Sequence, residues 1–144
     1  MILREGEKPS VRESAQSISR AGEALLSIIN DILDFSKIES GKLEIVESEY
    51  QLSRLLKNVV AMIRPRAEKK GLEFHLHIDE DLPDALMGDM MRVQQVVINI
   101  LTNAVKYTPD GEVNFFVFNE HKEENRIYLS FVVNDTGIGI KEED

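Results

Sequence analysis

The sequence contains no cysteine among its 144 residues. A disulfide scaffold, a thiolate metal site and a cysteine nucleophile are therefore excluded. Positive charge is scarce too, because 17 Lys and Arg face 26 Asp and Glu and give a net charge of −9. A surface of that sign repels phosphate backbones and anionic lipid, so we expect no nucleic-acid partner and no binding to a membrane surface.

Long apolar runs are absent as well. No stretch approaches the roughly 20 residues that span a bilayer, and residues 1–5 lack the basic and apolar regions of a signal peptide. We therefore expect a cytoplasmic segment that is not embedded in a membrane, which is compatible with a membrane anchor elsewhere in a longer parent protein. The length suits about one domain, and 42% hydrophobic residues supply its core.

A heptad pattern runs through the first part of the chain. Ser10 and Glu13 can form a capping box at its start, and Gly41 marks its end. The heptad seam consists of Val11, Ser14, Ile18, Ala21, Leu25, Ile28, Ile32 and Phe35. A second apolar row, from Leu26 to Leu33, lies beside the seam in the C-terminal half of this helix. A single neighbouring helix could not cover both rows. The pattern predicts a bundle-type helix over residues 10–40 that homodimerises.

The rest of the chain contains segments with the periodicity of helices and segments with the alternation of strands. The pattern predicts a short strand at 42–47, a helix at 51–70, a strand at 72–78 and a loop at 79–88. A third helix follows from the Asp89 cap to Tyr107. Two antiparallel strands at 113–118 and 127–134, joined by a loop around 121–125, complete the order. Pro65 should kink or shorten the second helix. This order favours an α+β fold, a two-layer α/β sandwich with a mixed or antiparallel sheet and helices on one face. We place the domains at 1–41 and 42–144.

The third predicted helix carries an unusual polar face. Its members are Arg92, Gln95, Asn99, Asn103 and Lys106, spaced three or four residues apart. Most such stripes are solvated surface, but asparagine is a mediocre helix former, and two of them one turn apart need another reason. Their amide oxygens suit a magnesium ion that bridges to phosphates, and Lys106 adds a positive charge. The face therefore suggests a triphosphate site.

The last predicted strand ends in a second polar motif. Asp135 is followed by Gly137 and Gly139, which would let the backbone approach a ligand. A Gly-x-Gly sequence alone is weak evidence, and Asp135 could simply cap the following turn. An acceptor-only carboxylate could instead bind an exocyclic amine and so favour adenine over guanine.

These motifs resemble those of a known family. Residues 99–108 (NILTNAVKYT) resemble the asparagine box of the sensor histidine kinases of two-component systems, and residues 135–140 (DTGIGI) resemble their first glycine box. Residues 26–43 resemble the second helix of the family's dimerisation domain and its joint to the ATP-binding domain. Three motifs in the family's order make the resemblance specific.

The resemblance implies a function and roles. Asn103 would coordinate Mg²⁺ with Asn99 assisting, Lys106 would contact phosphate, and Tyr107 would pack beside the adenine. Asp135 would bind the adenine amino group, and Gly137 and Gly139 would let the loop close over the base. The parent protein would be an ATP-dependent protein histidine kinase that works with a response regulator receiver domain. Related ATPases carry a glutamate base where Asn99 stands, and an amide cannot take a proton from water.

Two departures from the family pattern lead to further expectations. His75, His77 and His121 are not in a phosphoacceptor motif, and the chain ends before the family's second glycine box, its lid and its last strands. We therefore expect a segment with a truncated sheet that is inactive by itself, without catalytic residues of its own. His75 and His77 should be outward strand residues, or less commonly a surface metal pair. The alternative to a kinase is a dimerising signalling module with a degenerate nucleotide site.

Overall fold

The computed structural model describes residues 9–123 and 126–139. The chain forms two compact units, Met1–Glu44 and Ile45–Asp144. The described elements are α1 (Pro9–Glu39), β1 (Ser48–Gln51), α2 (Leu52–Lys70), β2 (Glu73–Ile78), β3 (Ala85–Gly88), α3 (Met90–Tyr107), β4 (Glu112–Glu123) and β5 (Arg126–Asp135). Within the described residues, no helix combines the length and the apolar character needed to cross a membrane.

Helix α1 makes up most of the described part of the first unit. Ser10 lies inside this helix rather than before it, and its side chain is outside the described residues, as is the start of the chain. The predicted end is confirmed: Gly41 has φ 64°, and Lys42 donates its backbone N–H to the Lys37 carbonyl at 2.8 Å. This Schellman geometry satisfies carbonyls that the helix would otherwise leave without partners.

Helix α2 ends in the same way. Gly71 has φ 78°, and the backbone N–H of Leu72 donates to the Ala67 carbonyl at 3.0 Å. The buried side chains of Ala67 and Leu72 supply the apolar contact typical of this motif. Pro65 lies inside the helix without ending it, so of the two effects expected from the sequence the shortening does not occur.

A two-stranded sheet corrects two of the predictions. The strand expected at 42–47 is absent from those residues, and β1 lies at Ser48–Gln51 instead. It pairs antiparallel with β3, within the segment predicted to be a loop. Both strands have four residues, which is too short for alternation to indicate them. Their pairing is a contact between distant parts of the chain.

The larger sheet has the order β2-β4-β5. Strand β2 pairs parallel with β4, and β4 pairs antiparallel with β5. The predicted loop at 121–125 is wrong in its first part, because His121, Lys122 and Glu123 continue the β4–β5 ladder after an irregularity between Asn119 and His121. Residues 124 and 125 lie outside the described residues.

The core lies between α2, α3 and one face of the larger sheet. Its buried hydrophobic residues are Leu52, Leu55, Leu56, Val59, Ile63, Ala67, Leu72, Val97, Leu101, Ala104, Val105, Val113, Phe115 and Val117. Alternate β4 residues belong to this cluster, so both helices cover the same sheet face. The α+β fold is thereby confirmed. Ile78 in β2 and Ile100 in α3 lie outside this core, with 48% and 45% of their surface exposed.

Candidate functional site

Helix α3 begins at a well-formed cap. The side chain of Asp89 accepts a hydrogen bond from the backbone N–H of Arg92 at 3.1 Å, and its other oxygen accepts from Val46 at 3.2 Å. The Arg92 and Val46 hydrogen bonds, with the nearby charge of Arg92, lower the pKa of Asp89 below its usual value. The predicted cap is confirmed, and it fixes the N-terminus of the helix.

The other end of α3 is held by the end of α2. The ammonium group of Lys70 donates to the carbonyl of Val105 at 2.9 Å and to that of Lys106 at 2.7 Å. One turn earlier in α2, Arg66 donates to the hydroxyl of Thr102 at 3.1 Å. A cation at a helix C-terminus also interacts favourably with the helix dipole. The last turns of α3, which carry the polar motif, are therefore held against the end of α2.

The polar face of α3 is accessible to a ligand. The side chains of Asn99, Asn103 and Lys106 are all exposed. Across residues 9–123 and 126–139, neither asparagine side chain takes part in a hydrogen bond, so both amides are available. The ammonium group of Lys106 lies 4.8 Å from the centre of the Tyr107 ring, within the range of a cation–π contact. The ring itself is half exposed.

Strand β5 ends beside Thr108, the residue that follows α3. Oδ1 of Asp135 accepts a hydrogen bond from the Gly137 backbone N–H at 2.9 Å, which is the turn-capping contact considered above. The hydroxyl oxygen of Thr108, whose proton is donated to the Ala104 carbonyl, lies 3.4 Å from the same oxygen, a long contact. In the described residues Oδ2 of Asp135 has no hydrogen-bond partner. One oxygen therefore orders the turn and leaves the other for a donor.

Gly137 occupies the point where the loop meets the end of α3. A Cβ at this position would lie 2.7 Å from the Tyr107 carbonyl oxygen and 2.6 Å from Oδ1 of Asp135. Just after it, the backbone N–H of Ile138 donates to the same Tyr107 carbonyl at 3.3 Å. Only glycine fits this approach without movement of the backbone. Gly139 lies further along the loop, exposed and with φ 68°.

Thr108 is the residue that sequence reasoning missed. It is fully buried, and its hydroxyl donates to the Ala104 carbonyl at 2.8 Å. Together with the contact to Asp135, this places one hydroxyl between the helix end and the strand end. Its position four residues after Ala104 continues the buried stripe of α3, and that periodicity could have identified it.

The structure therefore brings some predicted residues together and leaves others apart. Tyr107, Asp135 and Gly137 meet at the C-terminal end of α3, and Lys106 lies against Tyr107. Asn99 and Asn103 are on the preceding turns, and no hydrogen bond in the described residues joins them to Asp135. A molecule bound to all of them would have to extend from the strand end along the helix.

Comparisons with known proteins agree with these motifs. Residues 88–144 match the family described as histidine kinase-, DNA gyrase B- and HSP90-like ATPase. Residues 1–41 match the His Kinase A phospho-acceptor domain.

Individual relatives extend this similarity over most of the chain. The signal transduction histidine-protein kinase BarA of Escherichia coli is 38% identical over 136 residues, which cover 94% of the chain and 15% of BarA. Hybrid signal transduction histidine kinase B of Dictyostelium discoideum is 36% identical over 132 residues, 92% of the chain and 7% of that protein. The chain thus spans a small part of these curated relatives.

A solved structure shows the same fold. Full-length ShkA in complex with AMPPNP has a TM-score of 0.76 and 27% sequence identity. The similarity covers 99% of this chain and 30% of that one.

Proposed function

This chain belongs to the sensor histidine kinase family, and we propose that it binds Mg-ATP for phosphoryl transfer to a protein histidine. The single observation that carries the proposal is the meeting of α3 with the end of β5. Thr108 contacts Ala104 at the helix end and Asp135 at the strand end. One surface thereby combines a carboxylate, an aromatic ring and a cation, which suit a base and its phosphates.

The adenine would bind at the strand end. The free Oδ2 of Asp135 would accept from the exocyclic amine, while Oδ1 remains occupied by the Gly137 amide. The half-exposed ring of Tyr107 offers an apolar face beside it. Gly137 and Gly139 would allow the loop to lie close to the base. Guanine carries a carbonyl where adenine carries this amine, so the carboxylate would disfavour it.

The phosphates would extend along α3. The Lys106 ammonium would contact them, and Asn103, assisted by Asn99, would hold the magnesium ion through amide oxygens. The donor set fits this ion, because both amides are exposed and make no hydrogen bond in the described residues. Bound magnesium would neutralise the charge that develops on the transferred phosphoryl group.

Asn99 favours phosphoryl transfer to a protein over hydrolysis of ATP. A side-chain amide cannot act as the base that activates water, so a nucleotide bound here would persist until a protein acceptor arrives. This feature separates the proposal from a hydrolytic ATPase of the gyrase kind.

Residues 1–41 would be the second helix of a dimerisation and phosphoacceptor bundle, with residues 42–144 the first part of the ATP-binding domain. The side chains of Ile18, Leu25, Ile28, Ile32 and Phe35 are 54–73% exposed within the described chain. An apolar stripe of that size is normally buried against another helix, and a homodimer through residues 10–40 would bury it. A response regulator receiver domain is the partner that we propose for the whole protein.

Calorimetric titration with ATP and GTP in the presence of Mg²⁺ tests the nucleotide site. We expect ATP to bind more tightly than GTP, and we expect Asp135→Asn and Asn103→Ala to weaken ATP binding by about 10- to 100-fold. Asp79→Asn removes a carboxylate at the end of β2 and should leave the affinity unchanged. Equal affinity for ATP and GTP would refute the role of Asp135.

A further inference from the structure

A histidine and two glutamates converge on the outer face of the larger sheet. Glu73 and Glu112 are directly opposite each other in the parallel β2–β4 pair, and His75 follows two residues after Glu73 on the same face. Nε2 of His75 lies 3.1 Å from a carboxylate oxygen of Glu73 and 3.8 Å from one of Glu112. The three ligand atoms all lie within 4.8 Å of one another.

This arrangement needs a positive charge. Two carboxylates placed opposite each other on paired strands repel, and such like-charge pairs destabilise a sheet. Both glutamates nevertheless direct an oxygen toward the same nitrogen. A cation bound at that nitrogen would attract both carboxylates and so offset the repulsion between them.

The ligands are positioned by neighbours that are not themselves ligands. The second carboxylate oxygen of Glu112 accepts from the Asn114 amide at 2.9 Å, and Asn114 in turn contacts His77 at 3.2 Å. The His77 ring stacks on Phe116 with centroids 4.5 Å apart. The main chain of Glu112 is paired with Thr136 through two hydrogen bonds. Outer contacts of this kind orient the ligands of metal sites.

The ligand chemistry selects the kind of cation. One imidazole nitrogen and two carboxylate oxygens suit zinc and neighbouring transition metals, whereas magnesium and calcium prefer oxygen ligands alone. Zinc lies about 2.0–2.2 Å from such ligands, so tetrahedral geometry separates them by roughly 3.4 Å. The two observed distances of 3.1 and 3.8 Å bracket this value.

We propose that Glu73, His75 and Glu112 form a surface binding site for a divalent zinc-class cation, with water completing its coordination. The site is separate from the proposed magnesium–nucleotide site. Asp135 is paired with Val113 and shares its inward face of the sheet, whereas Glu112 and His75 are on the outward face. Because the ligands come from two strands, bound metal would link β2 to β4 and stabilise the second unit.

Titration of the 144-residue chain with ZnCl₂ at pH 7.5, followed by calorimetry and thermal unfolding, tests this site. We expect one zinc ion per chain and a Tm raised by about 5–15 °C at a hundredfold excess over Kd, with no such effect of MgCl₂. His75→Gln and Glu112→Gln should abolish both effects. All three ligand residues are partly or fully exposed, so these variants should fold.

His121→Gln is the matched control, because His121 lies 3.8 Å from the single carboxylate of Glu123. It should bind zinc like the unchanged protein. The proposal is overturned if zinc does not bind, or if His75→Gln binds it as tightly as the unchanged protein does.

Discussion

The carboxylate of Asp84 accepts a hydrogen bond from the backbone N–H of Ser53 at 2.7 Å, although the two residues are 31 positions apart. The Asp84 carbonyl also accepts from the Leu52 backbone N–H at 2.7 Å. Gln51, at the N-cap position of α2, makes no side-chain cap hydrogen bond. Asp84, which precedes β3, therefore supplies the capping hydrogen bonds that the side chain of Gln51 does not make.

The Asp84 cap should make stability depend on pH in acid. Hydrogen bonds from the backbone and side chain of Ser53 lower the pKa of Asp84 in the folded state. The stabilisation is thus present above the unfolded pKa of about 3.9 and is lost as the pH falls through the lower folded value. We expect Asp84→Asn to lower Tm at pH 7 and to reduce the loss of Tm between about pH 5 and pH 2.

Thermal unfolding followed by circular dichroism across that range measures the effect. Asp81→Asn changes an exposed carboxylate in the neighbouring loop and should retain the full pH dependence. Asp89, whose pKa is also lowered, should supply the dependence that remains in Asp84→Asn. Identical pH profiles for Asp84→Asn and the unchanged protein would contradict the prediction.

Gly137→Ala should disrupt the proposed nucleotide site. The added Cβ would approach the Tyr107 carbonyl oxygen to 2.7 Å, so the loop or the end of α3 must move. We expect the affinity for ATP to fall at least about tenfold, measured by calorimetry. In Gly88→Ala the new Cβ would meet the nearest Tyr50 atom at an ordinary 3.5 Å, so this control should bind ATP normally.

Thr108→Val should separate shape from hydrogen bonding. Valine fills nearly the same buried space but cannot donate to the Ala104 carbonyl and has no hydroxyl beside Asp135. We expect the free energy of unfolding to fall by about 1–2 kcal/mol, measured by urea denaturation, together with weaker ATP binding. Thr108→Ser keeps the hydroxyl and should retain ATP binding better than Thr108→Val. The reverse order would show that the hydroxyl is not what joins the helix to the strand.

Leu25→Glu or Ile32→Glu should abolish dimerisation. Each side chain is 59% exposed in α1, and a charge in the heptad seam would be buried by association. Sedimentation measures the change from dimer to monomer. Gln16→Glu, at a heptad position away from the seam, should leave the dimer intact. If the unchanged chain sediments as a monomer, the proposed homodimer is contradicted.

Helix ends and polar motifs could be predicted from sequence because they depend on local geometry. Gly71 ends α2 and Asp89 caps α3 through contacts within a few residues. Three-residue and four-residue spacing likewise placed Asn99, Asn103 and Lys106 on one face of α3, and all three are exposed. The family resemblance rested on such short motifs, and the comparisons confirm it.

The sequence alone determined the α+β class, the periodic faces of the helices and the residue types available at the candidate site. Tertiary structure decided the pairing of β1 with β3, the extension of β4 to Glu123, and the Asp84 cap. It also decided that the buried Thr108 lies between α3 and Asp135. Each of these depends on strand register or on contacts between distant residues, whereas periodicity and capping act over a few neighbouring residues.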